Sequence, residues 1–204
     1  MAKARKMSTL KMTQLAILIA LEVILVFTPV GMLITGGIAV TTMHIPVIIG
    51  AVLLGPAGGG VLGGMFGILS MIRAAMGGGA GDLLFNPAAS GNPLASVFMA
   101  VLPRILLGLI AAYLYILLKK LLKNDYAAIP IAAGISTALH TVMVLGCLWL
   151  FFDSIEIRAI FSTLITANGL GEIALAVVLV TLICKPLLNI QQKRLKSGGG
   201  PGIG

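Results

Sequence analysis

Four residues with chemistry to offer lie inside long apolar runs of this sequence: Arg104, His140, Asn168 and Glu172. A polar group surrounded by hydrocarbon costs free energy, so each needs a partner. Arg104 falls about nine residues into its apolar run from one end, a depth of roughly 13 Å at 1.5 Å per residue. His140 falls about twelve residues from the end of the next run, roughly 18 Å deep by the same rise. Asn168 and Glu172 sit four positions apart and share one face of a helix. Three helices therefore bring polar side chains to a similar depth. One chemistry for such a convergence is a pocket that holds a small polar molecule by a few placed hydrogen bonds. Arg104 would grip a carboxylate or phosphate, because its planar fork matches those groups. The other is a structural stitch, with Arg104 paired to Glu172. The stitch accounts for neither His140 nor Asn168, and the pocket is the stronger reading. For His140 alone, an interhelical hydrogen bond remains open beside a ligand contact.

His44 and the threonines Thr35, Thr41 and Thr42 stand where they could line a pocket mouth or cap an interface. Asn86 and Asn92 lie in a connector, where asparagine forms turns as readily as it meets a ligand. Glu22 stands alone in the first apolar run and has no assignment beyond a buried hydrogen bond to a neighbouring helix. Catalytic sets are missing: there is no Ser/His/Asp arrangement, no HExxH and no Walker motif. With two histidines and six acidic residues a metal site is poorly supplied, and neither metal nor cofactor is expected. Cys147 and Cys184 both fall inside apolar runs, as packing residues do.

The elements that must position these groups are membrane helices. The composition is 59% hydrophobic and 10% charged, which a soluble fold of this size could not hide. Apolar runs of about 18 residues or more recur, each long enough to cross a bilayer. The expected class is an all-α membrane protein, a bundle of about six transmembrane helices. The first runs from about Thr13 to Val30 and is read as uncleaved. A connector, 31–42, favours extended or irregular backbone through its Gly-Gly pair and threonines. A short segment, His44–Leu54, stops at Gly55–Pro56. The third, about Gly58–Ala75, carries glycines at spacing four, which lets another helix approach closely. A Gly-, Pro- and Asn-rich loop, 76–95, precedes helices at about Ser96–Leu122, Ala127–Phe152 and Ile160–Leu188. This divides the chain into a basic N-terminus (1–12), the transmembrane domain (13–188) and a tail (189–204) expected to be disordered.

The net charge of +8 is distributed as a topology signal rather than as a nucleic-acid footprint. Lys3, Arg5, Lys6 and Lys11, then Lys119, Lys120 and Lys123, then Lys185, Lys193, Arg194 and Lys196 all flank apolar segments on one side. That side is the cytoplasm, and both termini lie there. Trp149 reads as an interfacial anchor and Arg73 as a snorkelling cation.

Specific stretches carry a resemblance. The AxxxA of Ala16 and Ala20, the run HIPVIIGAVLLGPAGG (His44–Gly59) and LPRILLGLIAAYLY (Leu102–Tyr115) resemble the substrate-binding S components of energy-coupling-factor (ECF) vitamin transporters. With TALHTVMVLGCLWLFF (Thr137–Phe152) and TANGLGE (Thr166–Glu172), the likeness is greatest to the pantothenate-type subunits. The resemblance spans about Met12–Leu188. It implies a multi-pass bacterial cell-membrane protein that captures a vitamin from outside and is not an enzyme. It implies a transmembrane coupling protein and two cytoplasmic ATPases as partners, with Ala16 and Ala20 on the docking face. Pantothenate, a small carboxylate with hydroxyls and an amide, suits Arg104, His140, Asn168, Glu172, Asn86 and His44 as binding residues. Folate, riboflavin, hydroxymethylpyrimidine and cobalamin subunits share the fold and remain alternatives. So do a stand-alone secondary carrier, which lacks the expected inverted halves here, and an intramembrane enzyme using His140 and Glu172.

Overall fold

The computed structural model describes residues 9–35, 38–77, 82–152 and 169–196. Six helices carry it: α1 (Thr9–Phe27), α2 (Ile45–Leu54), α3 (Pro56–Ala75), α4 (Pro93–Leu122), α5 (Asp125–Phe151) and α6 (Gly169–Lys196). Five of them, all but α2, are long and apolar enough to cross a membrane. At ten residues, α2 spans about 15 Å, half of a hydrocarbon core. Its residues from Ile45 to Val52 are all buried, and it packs against α1, α3, α4 and α6. The expected second crossing is thus a short helix enclosed by the others, with no face left for lipid.

Prolines set several of the starts. Pro46, Pro56 and Pro93 occupy the first turns of α2, α3 and α4, where a missing N–H costs nothing. Gly55 joins α2 to α3 at a φ of 81°, a left-handed conformation that disfavours any side chain. Asn92 caps α4 by accepting from the Ala95 N–H, and Asn124 caps α5 by accepting from the Tyr126 N–H. Pro103, Pro130 and Pro186 lie within α4, α5 and α6, as membrane helices tolerate.

The connector after α1 is extended as expected, and it is paired. β1 (Met32–Thr35) and β2 (Ile38–Thr41) form an antiparallel hairpin in which Met32 faces Thr41 and Thr35 faces Ile38. The Gly-Gly pair falls between the strands. The Thr42 N–H donates to the Gly31 carbonyl at 3.0 Å, and its hydroxyl donates to the Val30 carbonyl at 2.9 Å. These bonds close the hairpin onto the single 3-10 turn, Pro29–Gly31, that follows α1. Because the strand–strand bonds satisfy the backbone locally, an otherwise all-α chain can keep extended residues beside the bilayer.

Glycines fit α3 to α4. A Cβ on Gly59 would meet the Gly108 carbonyl oxygen at 2.5 Å, and one on Gly67 would meet the Ala100 carbonyl at 2.7 Å. The two backbones therefore touch along the stripe that the four-residue spacing predicts. At the opposite end of the bundle from the hairpin, Asp125 draws three helices together. It accepts from Tyr115 at 2.8 Å and from Gln192 at 3.2 Å, and pairs with Lys119 at 3.0 Å. Lys185 lies 4.0 Å from the centre of the Tyr126 ring. α6 runs on to Lys196, past the expected end at Leu188, and Gln192 on that extension supplies one of these bonds.

Candidate functional site

Arg104, His140 and His44 gather near the hairpin end of the bundle, around a residue the sequence did not single out. Phe66 of α3 is buried at 5% exposure. The Arg104 guanidinium carbon lies 5.4 Å from the centre of its ring. The His140 ring lies 6.3 Å from the same ring at an interplanar angle of 40°. His44 stacks on His140 in turn, with centroids 6.3 Å apart and planes 19° from parallel. Residues from α3, α4, α5 and the start of α2 thus meet in one cluster.

Each member is placed by its helix. Arg104 follows Pro103 on the α4 face that packs on α3, and its backbone abuts Gly63. Its Nη1 donates to the Met99 carbonyl at 2.6 Å, a carbonyl inside the same helix. Phe85, from the single-turn helix Asp82–Phe85 in the loop before α4, approaches the guanidinium carbon to 4.7 Å at its ring centre. His44 precedes the first turn of α2 and is 1% exposed. Neither the His44 Nε2 nor the His140 Nε2 reaches solvent, and neither has a hydrogen-bond partner among the described residues. The Thr137 hydroxyl, one turn before His140 on α5, is in the same condition. Such atoms lose water without compensation and cost free energy until something bonds them.

Glu172 has a different partner from the one the stitch requires. Its Oε1 accepts from the Thr41 N–H at 2.9 Å and from the Thr41 hydroxyl at 2.7 Å. Among the described residues it is bonded to the hairpin and not ion-paired with Arg104. Glu172, in the first turn of α6, therefore fastens the end of β2, three residues before His44 in the chain. Asn168 lies outside the described residues. Asn86 makes a turn: its Oδ1 accepts from the Ala88 N–H at 3.0 Å, next to Phe85.

Other expectations resolve simply. Ala16 and Ala20 are exposed on α1, while Leu18, Glu22 and Val26 form its buried stripe. Glu22 is wholly buried, and its carboxyl oxygens have no hydrogen-bond partner among the described residues. The expected interhelical bond is therefore not made by any of them. Trp149 is 67% exposed, as an interfacial anchor would be. Arg73 donates from Nη1 toward the Met43 sulfur at 3.7 Å. Cys147 and Cys184 are free thiols. Among the described residues no group of three or more His, Cys, Asp or Glu side chains is arranged to hold a metal ion.

Phe66 and Phe85 escaped the sequence reading because a phenylalanine in an apolar helix or loop carries no positional signal. Thr41 was named only as a possible mouth residue, and its partner stands 131 positions away.

The family model for the substrate-specific component of ECF transporters matches residues 10–189. The chain is also 33% identical over 156 residues to the pantothenic acid transporter PanT of Lactococcus lactis subsp. cremoris. That alignment covers 72% of this chain and 76% of the relative.

Proposed function

Because the chain belongs to the substrate-specific components of ECF transporters, we propose that it binds pantothenate from the outside and delivers it through an ATP-driven complex. The Arg104–Phe66–His140–His44 cluster carries the reading. It offers one cation for a carboxylate, and two imidazole nitrogens and a threonine hydroxyl for hydroxyl and amide groups. The likeness to a pantothenic acid transporter supports the same ligand. In this reading Arg104, His140, His44 and Asn168 contact the vitamin, Asn86 borders the site, and Glu172 holds the hairpin beside it. Both termini face the cytoplasm, with the lysine-rich end of the bundle, Lys119 to Lys123, beside them. Ala16 and Ala20 meet a transmembrane coupling protein, and two ATPases complete the complex.

The test is Arg104→Gln, with binding of pantothenate compared to that of its analogue bearing a primary alcohol in place of the carboxylate. Truncating one side of a buried charge pair costs about 2–5 kcal/mol. The variant should lose that much for pantothenate and far less for the alcohol. Equal losses for the two ligands would reduce Arg104 to a folding role.

A further inference from the structure

Arg104 sits against two aromatic rings from different parts of the chain. Phe66 comes from the middle of α3, and Phe85 from the loop that precedes α4. Their ring centres lie 5.4 Å and 4.7 Å from the guanidinium carbon. Phe85 is half-buried and packs into a satellite cluster with Ala95, Met99 and Phe152. Met99 is also the residue whose carbonyl accepts from Arg104. Ring, cluster and carbonyl thus adjoin the guanidinium together.

A phenyl ring attracts a cation through its quadrupole but has no lone pair to accept an N–H. Two such rings displace water from the guanidinium without consuming its hydrogen-bonding capacity. The cation then exerts its field in a medium less polarisable than water, where an ion pair is stronger. Its forked N–H groups are directed in their own plane, which suits a carboxylate in two-point contact. A neutral hydroxyl at the same place gains little from the dehydrated charge.

We propose that Phe85, backed by Phe66, is a specificity-determining residue of the site, dehydrating Arg104 so that it selects a ligand carboxylate over a neutral group. The proposal rests on the reading of Arg104 as the ligand anchor. Phe66 also tilts against His140, so changing it disturbs two groups at once. Phe85 touches the cation from the loop, and it is the cleaner residue to change.

The experiment uses the full chain in detergent or nanodiscs, titrated with pantothenate and with its primary-alcohol analogue at low and high salt. Phe85→Leu stays apolar but lacks the flat ring face that covers the guanidinium, so water reaches the cation; Phe85→Trp keeps a ring. In Phe85→Leu the preference for the carboxylate over the alcohol should fall about five- to thirtyfold, the span between an exposed and a desolvated cation–π contact. Alcohol binding should stay within about twofold of the unaltered protein. Carboxylate binding should also become more sensitive to salt, because a hydrated cation is open to screening. Phe85→Trp should keep both the preference and the salt profile. A preference unchanged in Phe85→Leu, or equal losses for both ligands, would overturn the proposal and leave Phe85 a packing residue. Unaltered protein that binds carboxylate and alcohol equally would instead remove the anchor role of Arg104 itself.

Discussion

Gly63→Ala should loosen the helix pair that holds Arg104, while Gly64→Ala, one residue along, should not. A Cβ at position 63 would point into the backbone of α4, meeting the Arg104 carbonyl oxygen, the Arg104 carbonyl carbon at 2.6 Å and the Ile105 Cα at 2.9 Å. Ordinary contact needs about 3.4 Å or more, so the helices must part by roughly 1 Å or strain. Backbone cannot swing aside as a side-chain tip can. At position 64 the nearest atom is the Ile105 Cγ1 at 3.8 Å, an ordinary contact. Both changes gain the same helix propensity, about 1 kcal/mol, which cancels when they are compared. What remains is the overpacking cost, about 1–3 kcal/mol. Thermal unfolding in detergent should therefore place Gly63→Ala below Gly64→Ala by about 2–4 °C for each kcal/mol of that difference. Because the displaced backbone belongs to Arg104, Gly63→Ala should also weaken pantothenate binding, and Gly64→Ala should leave it alone. Equal melting temperatures and equal affinities would show that α3 and α4 do not meet backbone to backbone, and the placement of Arg104 would have to be rebuilt.

Other predictions follow from separate parts of the molecule. Cysteine in place of Ser90, in a background lacking Cys147 and Cys184, should react with an impermeant thiol reagent in intact cells, and cysteine in place of Lys196 should not; the reverse pattern inverts the topology. Trp at Ala16 or Ala20 should abolish uptake by the full complex but spare ligand binding to the isolated subunit, since a bulky group on the exposed face of α1 holds a partner helix away. Uptake that persists with Trp at both positions removes that face from docking. Thr41→Val deletes one of the two bonds that fasten the hairpin to Glu172, worth about 1 kcal/mol, and should speed ligand release in stopped-flow by about fivefold; an unchanged release rate means that the hairpin does not restrain the ligand.

Much of the scaffold was legible because membrane helices announce themselves locally. Apolar length set α3, α4 and α5 to within a few residues, and Gly55–Pro56 marked the break between α2 and α3. The glycines at spacing four marked the face of α3 that another helix approaches, and the structure shows that helix to be α4. Less was legible where the same local signal has two outcomes. The apolar run of α2 reads alike whether lipid or protein surrounds it, and only the structure shows that its faces are taken up by four other helices. Extended backbone was foreseeable at residues 31–42, but strand pairing depends on two short segments meeting in register.

The candidate site divides along a different line. Arg104, His140 and His44 stood out because a polar residue in an apolar run is improbable without a partner, and the structure does bring them to one place. The identity of the partner is another matter, for it depends on which faces of distant helices converge. Arg104 and Glu172 are the obvious opposite charges at similar depth, yet Glu172 bonds to Thr41. The reason is geometric: the first turn of α6 lies against the end of β2, where a backbone N–H and a hydroxyl of one residue both point at the same oxygen. Two donors fixed by a single residue cost little ordering entropy, since the strand already holds the backbone in place. Glu172 thereby serves the hairpin, while the Arg104 guanidinium lies against the Phe66 and Phe85 rings and donates to the Met99 carbonyl.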